Sequence, residues 1–325
     1  MNKTALCGRR AIGALACGLL LQSAACVVPA QAAEQNSAGH RFSIVAGADG
    51  VPLNVVEVGD PSRPAILLIH GIGQSHHSFD LQLQSPELAS KFHLVAFDLR
   101  GHGFSGKPWT KEAYVISEKW ADDLQHVIAA THLKNVVLVG WSYGSLVVAD
   151  YLRKYGTRDL AGIVLAGAYG GLTDPPSAPR TLTPAVLAEM ARNREQQLSG
   201  DMDERRAAVR QAAKRLTAKP MSDSWMDSAT NMGMLTAAEA RRFMFDRPLD
   251  NKSLVARIDV RLLVVIGGKD GSTPEPEGRD LAKRVPHGAV SFYPQSGHSA
   301  FAEFPQRFND ELATFAASSQ PARAP

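Results

Sequence analysis

Gly140-Trp141-Ser142-Tyr143-Gly144 is the stretch of this chain best equipped for chemistry. It follows the apolar run Val136–Val139 and opens a segment whose apolar residues recur at helical spacing. A serine on a tight strand-to-helix turn is thrust out of the sheet, and small residues two positions either side relieve the crowding there. The following helix points its free N–H groups and positive end at the same place. A serine hydroxyl is a weak nucleophile and needs a base. Of the ten histidines, His298 stands where that base belongs, between the run Ala289–Tyr293 and a C-terminal helical pattern. The imidazole needs a carboxylate to fix its tautomer. Asp270 follows the run Leu262–Ile266 through Gly267-Gly268-Lys269. Asp174 is its rival, in a proline-rich loop after the preceding run; loop geometry favours Asp270. In chain order the three are Ser142, Asp270 and His298.

A tetrahedral intermediate also needs N–H donors for its oxyanion. His70-Gly71-Ile72-Gly73 follows the run Ala65–Ile69, and its glycines let backbone approach a substrate. The expected donors are the backbone N–H groups of Ile72 and of Tyr143, the residue after the nucleophile. His70 reads as a brace for this loop. His76 and His77 follow it and read as a solvated loop, with substrate contact at the mouth of the pocket as the competing reading; adjacent side chains diverge, so they make a poor metal pair.

These groups require strands that end at one edge. Arg41–Ala48 and Pro52–Val58 read as a hairpin around Asp49-Gly50. Ala65–Ile69, His93–Phe97, Val136–Val139, Ile163–Ala166, Leu262–Ile266 and Ala289–Tyr293 are short apolar runs of the kind buried on both faces. Helical patterns at Glu118–His132, Leu146–Tyr155 and Phe301–Phe315 alternate with them. The expected fold class is α/β, a mostly parallel sheet with flanking helices. The core spans 33–168 and 258–325.

Residues 169–257 break the rhythm and hold no convincing strand. After a proline-rich loop over Thr173–Pro184, Val186–Leu198, Glu204–Leu216 and Ala237–Phe245 read as helices, so the segment is expected to be an inserted helical cap. Seven of the eight methionines lie in it. Flexible, polarisable side chains suit an adaptable apolar surface, and Met226, Met232 and Met234 are the candidate pocket residues. The competing reading is that they fill the cap's own core.

The first 32 residues read as a secretory signal peptide: Lys3, Arg9 and Arg10, then an uncharged run Ala11–Leu21, then the small-x-small site Ala30-Gln31-Ala32. The run is too short and too rich in Ala and Gly for a stable membrane anchor. Arg9-Arg10 hints at export of folded protein, but Gly13 stands where that motif wants a bulky apolar residue. Cys26 as a lipid site lacks the usual leucine three residues earlier, where Ser23 stands. The expected location is periplasmic or extracellular. Cys7, Cys17 and Cys26 all leave with this segment, so the mature chain holds no disulfide, thiol nucleophile or cysteine metal site. Removing three basic residues from the 35 leaves 32 against 32 acidic ones. That balance, without a basic block, argues against a nucleic-acid partner.

The chain resembles the α/β-hydrolase superfamily from Arg41 to Phe315. The matching stretches are His70–Gly73, Asp98-Leu99-Arg100-Gly101-His102-Gly103-Phe104-Ser105, Gly140–Gly144, the Gly-Gly-Lys-Asp loop ending at Asp270, and Ser296-Gly297-His298. Within it the chain is most similar to small esterases that include the cofactor-free haloperoxidases, although Ser145 replaces the Gly they often carry after the elbow. The resemblance implies that Asp98–Ser105 is a structural turn, which leaves His102 and Ser105 outside the chemistry. It also implies an aspartate at the elbow for epoxide hydrolysis and dehalogenation, which Ser142 disfavours.

The function expected is hydrolysis of a carboxylic ester or lactone of small size through an acyl-enzyme, with no metal or organic cofactor. Perhydrolase or haloperoxidase-like chemistry, and amide or N-terminal peptide cleavage, would use the same groups. A non-catalytic ligand-binding receptor on the same scaffold is the reading from another class.

Overall fold

The structure, a computed structural model, describes Glu34–Gln35 and residues 39–173, 183–248, 250–273 and 275–320. The expected signal peptide and Asp174 lie outside the described residues.

Strands organise the chain. β1 (Glu34–Gln35), β2 (Arg41–Ala46) and β3 (Pro52–Val58) come first, then β4 (Ala65–Ile69) and β5 (His93–Phe97). β6 (Val136–Trp141), β7 (Leu160–Ala166), β8 (Arg261–Gly267) and β9 (Gly288–Tyr293) follow. Of these, β4 to β7 have no exposed residue. They form one nine-stranded sheet in the order β1-β2-β3-β5-β4-β6-β7-β8-β9. β1 to β3 pair antiparallel with each other and with β5, whereas β5, β4 and β6 to β9 run parallel. The expected α/β architecture is therefore correct, with an added first strand that the sequence reading lacked.

Side chains alternate across a strand, and this sheet buries both sets. Leu67, Ile69, Leu138, Ile163 and Val264 face one core with Trp120, Leu124 and Val147 from the helices Ser117–Ala130 and Tyr143–Tyr155. Ile66, Leu68, Val137, Val139 and Val265 face the other with Phe79, Phe301, Phe308 and Leu312. The C-terminal helical pattern is split. Ala300–Glu303 and Pro305–Ser319 are separate helices, and Phe304 between them has φ −135°, ψ 56°. The residue before a proline is pushed out of helical geometry.

Between β7 and β8 the described residues contain helices and 3-10 turns but no strand: Pro184–Gln196, Met202–Ala213, Asp223–Leu235 and Ala238–Met244. Three correspond to expected helices with bounds moved by a few residues. Asp223–Leu235 was not expected. The insert packs into the same compact unit as the sheet, which spans Ala33–Pro325. A further unexpected helix, Glu275–Arg284, joins β8 to β9.

Candidate active site

The parallel strands deliver their following loops to one edge, where ligands bind in open α/β sheets. β4 leads to Gly71, β6 to Ser142, β7 to Gly167, β8 to Asp270 and β9 to His298. Ser142 has φ 54° and ψ −117°, a costly conformation for a residue with a side chain. Its N–H donates to the Ala166 carbonyl at 2.9 Å. The flanking glycines are required by contact: a Cβ at Gly144 would lie 2.1 Å from the Ile69 carbonyl oxygen, and one at Gly140 would lie 2.9 Å from Gly144 backbone. Gly71 is equally close, because a Cβ there would sit 2.9 Å from the Cβ of Ser142.

Asp270 and His298 are in contact. The Asp270 Oδ2 lies 2.7 Å from His298 Nδ1, with the carboxylate side chain 3% and the imidazole 12% exposed. Burial alone would raise the Asp270 carboxyl. The neighbouring imidazole and two bonds from Ser272 outweigh it and hold the group below its ordinary value. Those bonds run from the Ser272 N–H at 2.9 Å and from its hydroxyl at 2.6 Å, both to Oδ1. The same hydroxyl lies 3.2 Å from His298 Nδ1.

The His298 loop is held from two more sides. The Trp141 indole N–H donates to the His298 carbonyl at 3.0 Å. Glu303 accepts from the Gly297 N–H at 2.6 Å and the Ser296 hydroxyl at 2.9 Å through one oxygen. Its other oxygen accepts from the N–H groups of Ala218 and Lys219 in the insert, at 2.9 and 3.2 Å. Ser272 and Glu303 were missed at the sequence level. A serine two residues after Asp270 is the only signal for the first, and nothing local marks the second.

Tyr143 opens its helix, so its N–H has no partner within that helix. Its hydroxyl accepts from Arg247 at 3.0 Å, and Arg247 pairs with Asp150, both side chains buried. Ile72 packs, partly buried, against the same core as Tyr143. His70 braces the Ile72 loop: its Nε2 accepts from the Leu99 N–H at 2.9 Å, which leaves Nδ1–H to donate to the Gly71 carbonyl at 2.7 Å. Burial pulls its pKa down to about 4, so it is neutral at pH 7.

His76 corrects the expectation of a solvated loop. It is 3% exposed, and both its N–H and its Nδ1 lie 2.8 Å from Asp98 Oδ1. Burial would raise Asp98, but the His76 contacts pull it well below the carboxylate range. Ser105 donates to the Asp98 carbonyl at 2.6 Å and accepts from the Asn54 N–H at 2.9 Å. His102 is fully buried. The Asp98–Ser105 turn is thus an internally bonded unit. His77 is half-buried beside Asp80, whose carboxylate bond raises the imidazole above its ordinary value.

A cavity of about 380 Å³ adjoins Trp141 and Ser299, the chain neighbours of Ser142 and His298. Its largely apolar wall includes Met221, Trp225, Met232 and Phe301, with His77 and Asp80 at one side. Met232 is in that wall. Met226 is instead packed with Ala213 and Ala229 inside the insert, and Met234 is half-buried outside the wall. Among the described residues no group of three or more His, Asp or Glu is placed to hold a metal ion. No helix among them is long and apolar enough to cross a membrane.

A strained serine at a strand-to-helix turn and a carboxylate-bound imidazole on another loop after a parallel strand make the layout of the α/β-hydrolases. The family model of the alpha/beta hydrolase fold matches residues 64–305, and the chain belongs to that family. It is 26% identical over 274 residues to the AB hydrolase superfamily protein YisY of Bacillus subtilis (strain 168), covering 82% of this chain and 96% of that one. It is 27% identical over 278 residues to the bifunctional esterase/perhydrolase DCH of Acinetobacter calcoaceticus, again 82% and 96%. The solved structure of a putative aryl esterase from Burkholderia cenocepacia superposes with a TM-score of 0.77 at 29% identity, covering 86% of this chain and 99% of that one. The chain is accordingly a hydrolase.

Proposed function

We propose that this protein is an exported serine hydrolase that cleaves small carboxylic esters. The Asp270–His298 contact of 2.7 Å, beside the turn that carries Ser142, supports this reading most directly. Ser142 Oγ attacks the ester carbonyl as His298 Nε2 takes its proton. Asp270 fixes the tautomer, with Nδ1–H toward the carboxylate, and stabilises the imidazolium. The N–H groups of Ile72 and Tyr143 receive the oxyanion. His298 returns the proton to the leaving alcohol, and the acyl-enzyme forms. Water, deprotonated by His298, then attacks the acyl carbon; the bond to Ser142 Oγ breaks, His298 returns the proton to that oxygen, and the acid leaves. No step calls for a metal or organic cofactor. A lactone would react in the same way, its alcohol remaining tethered to the acyl group.

The cavity beside Trp141 is the proposed seat for an apolar acyl or alcohol group, with Met232 in its wall. The likeness to the esterase/perhydrolase favours a second reading, in which hydrogen peroxide replaces water and the product is a peroxyacid.

Labelling with a fluorophosphonate, read by peptide mass spectrometry, tests the nucleophile. Ser142 should be modified, and Ser142→Ala should lose esterase activity about a thousandfold or more while staying folded. His298→Ala should do the same, and Asp270→Asn should be crippling where Asp174→Asn is mild. A folded protein that neither labels nor hydrolyses p-nitrophenyl esters would favour a receptor. N-terminal sequencing of exported protein should begin near Ala33; an intact Met1 in the cytoplasm would refute export.

A further inference from the structure

One turn of the insert gathers cationic and polar groups that have no counter-charge among the described residues. Arg241 is 5% exposed, and its Nε has no hydrogen-bond partner. Thr236 is fully buried with its hydroxyl unpartnered, and the Nε of Arg205 is buried and unpartnered too. The turn Gly233–Ala237 draws them together. The Gly233 carbonyl accepts from the Thr236 N–H at 3.3 Å and from Arg241 Nη2 at 3.1 Å. Arg205 donates to the Thr236 carbonyl. The Arg241 guanidinium also stands over Gly73, where a Cβ would lie 2.7 Å from Nη1. It therefore occupies the seam between the insert and the loop of Ile72.

The other buried arginines of this fold are neutralised. Arg100 pairs with Asp123 and Arg247 with Asp150. Among the described residues, neither Arg205 nor Arg241 has a carboxylate within 4.0 Å. An uncompensated buried charge is strongly destabilising, and a second cation nearby adds to the cost. Burial, then the charge of Arg205, lowers the Arg241 pKa to about 10, so it remains a cation at neutral pH. His102 lies close enough to feel that charge. Its Nδ1–H is given to the Arg100 carbonyl at 3.0 Å, so its unpartnered Nε2 is an acceptor and does not hold an anion.

We propose that Arg205, Arg241 and the Thr236 hydroxyl form a binding site for one small monovalent anion, a halide or a carboxylate, at the seam between the insert and the Gly71–Gly73 loop. The guanidinium N–H groups and the hydroxyl supply donors, and the anion supplies the missing charge. A water spanning Arg241 Nε and His102 Nε2 is the rival occupant, and it would leave the charge unbalanced.

The test is a thermal melt of the purified protein at fixed ionic strength, with gluconate replaced stepwise by bromide, chloride or acetate. A saturable rise of a few degrees is expected. It should be lost in Arg241→Met and reduced in Arg205→Met. To keep the test independent of whether Arg241→Met folds, bromide is also located by anomalous scattering in wild-type crystals, with a peak expected between the two guanidinium groups. Chloride competing against an ester that bears a free carboxylate, and not against a neutral ester, would assign the site to a substrate's carboxylate. A melting shift without such competition would assign it to a resident ion. No melting shift together with no bromide peak would overturn the site, as would a shift that both arginine variants retain in full. The melts use no substrate, so that failure would leave the hydrolase reading standing.

Discussion

The indole N–H of Trp141 donates to the backbone carbonyl of His298 across 3.0 Å. The residue before Ser142 thus fixes the loop that carries the imidazole, and the two partners proposed for proton transfer share one anchor. Trp141→Phe keeps most of the ring contacts with Phe79 and Phe301 but removes the donor. A lost bond to a buried carbonyl costs about 1–1.5 kcal/mol, so kcat should fall about 5- to 10-fold. Steady-state kinetics with a short p-nitrophenyl ester checks this. A kcat equal to wild type would mean that the anchor is dispensable.

Ser272 is expected to act through Asp270. Its hydroxyl bond of 2.6 Å steadies the carboxylate oxygen that does not face His298. Ser272→Ala should lower kcat about tenfold with KM little changed, and Ser272→Thr should restore most of it. If the threonine variant is as slow as the alanine variant, the hydroxyl is not the operative group.

The methionines of the insert should separate into two kinds. Met232, in the cavity wall, should shift the preferred acyl length when changed to Ala, since each methylene seated there contributes up to ~0.8 kcal/mol. Met226, packed on Ala213 and Ala229, should lower stability by about 2–3 kcal/mol and leave selectivity alone. A graded series of p-nitrophenyl esters and a urea titration on each variant decide the matter. The opposite assignment would place the substrate elsewhere.

Acid should weaken the fold before the carboxylates are neutralised. The ordinary value for His70 is 6.5, and burial pulls the folded group down to about 4. Between those values the unfolded chain holds more protons, so the stability is fully present above pH 6.5 and is lost as pH falls toward 4. His70 alone accounts for ~3 kcal/mol of that loss, and His102, buried beside it, is shifted the same way. Urea unfolding at several pH values from 7 to 4 should show a steady decline. A flat profile would contradict the neutral, buried state of His70.

The strands β4 to β7 could be read from sequence because each is a short apolar run buried on both faces, and the placing of Ser142, Asp270 and His298 on loops that follow strands was legible with them. The helix Asp223–Leu235 was not. Ser224, Thr230 and Gly233 are weak helix formers, and Trp225, Met226 and Ala229 are held by tertiary packing, on Ala213 and on the core of one sheet face. His76 was hidden for a similar reason, since its partner Asp98 is 22 residues away. Glu303 carries no local mark, because its role arises where the His298 loop meets the insert. The break before Pro305 was visible in principle: a proline within a helical pattern usually divides it.

Ser142 is held at φ 54°, a posture that a side chain resists and glycine accepts readily. Folding winds this turn like a spring and the sheet keeps it wound, so the point proposed for attack on substrate is also one of the least comfortable. Durability and reactivity are therefore set against each other at a single Cβ. Ser142→Gly should yield a protein that melts later than wild type, by a margin on the order of 1 kcal/mol, and that turns over nothing.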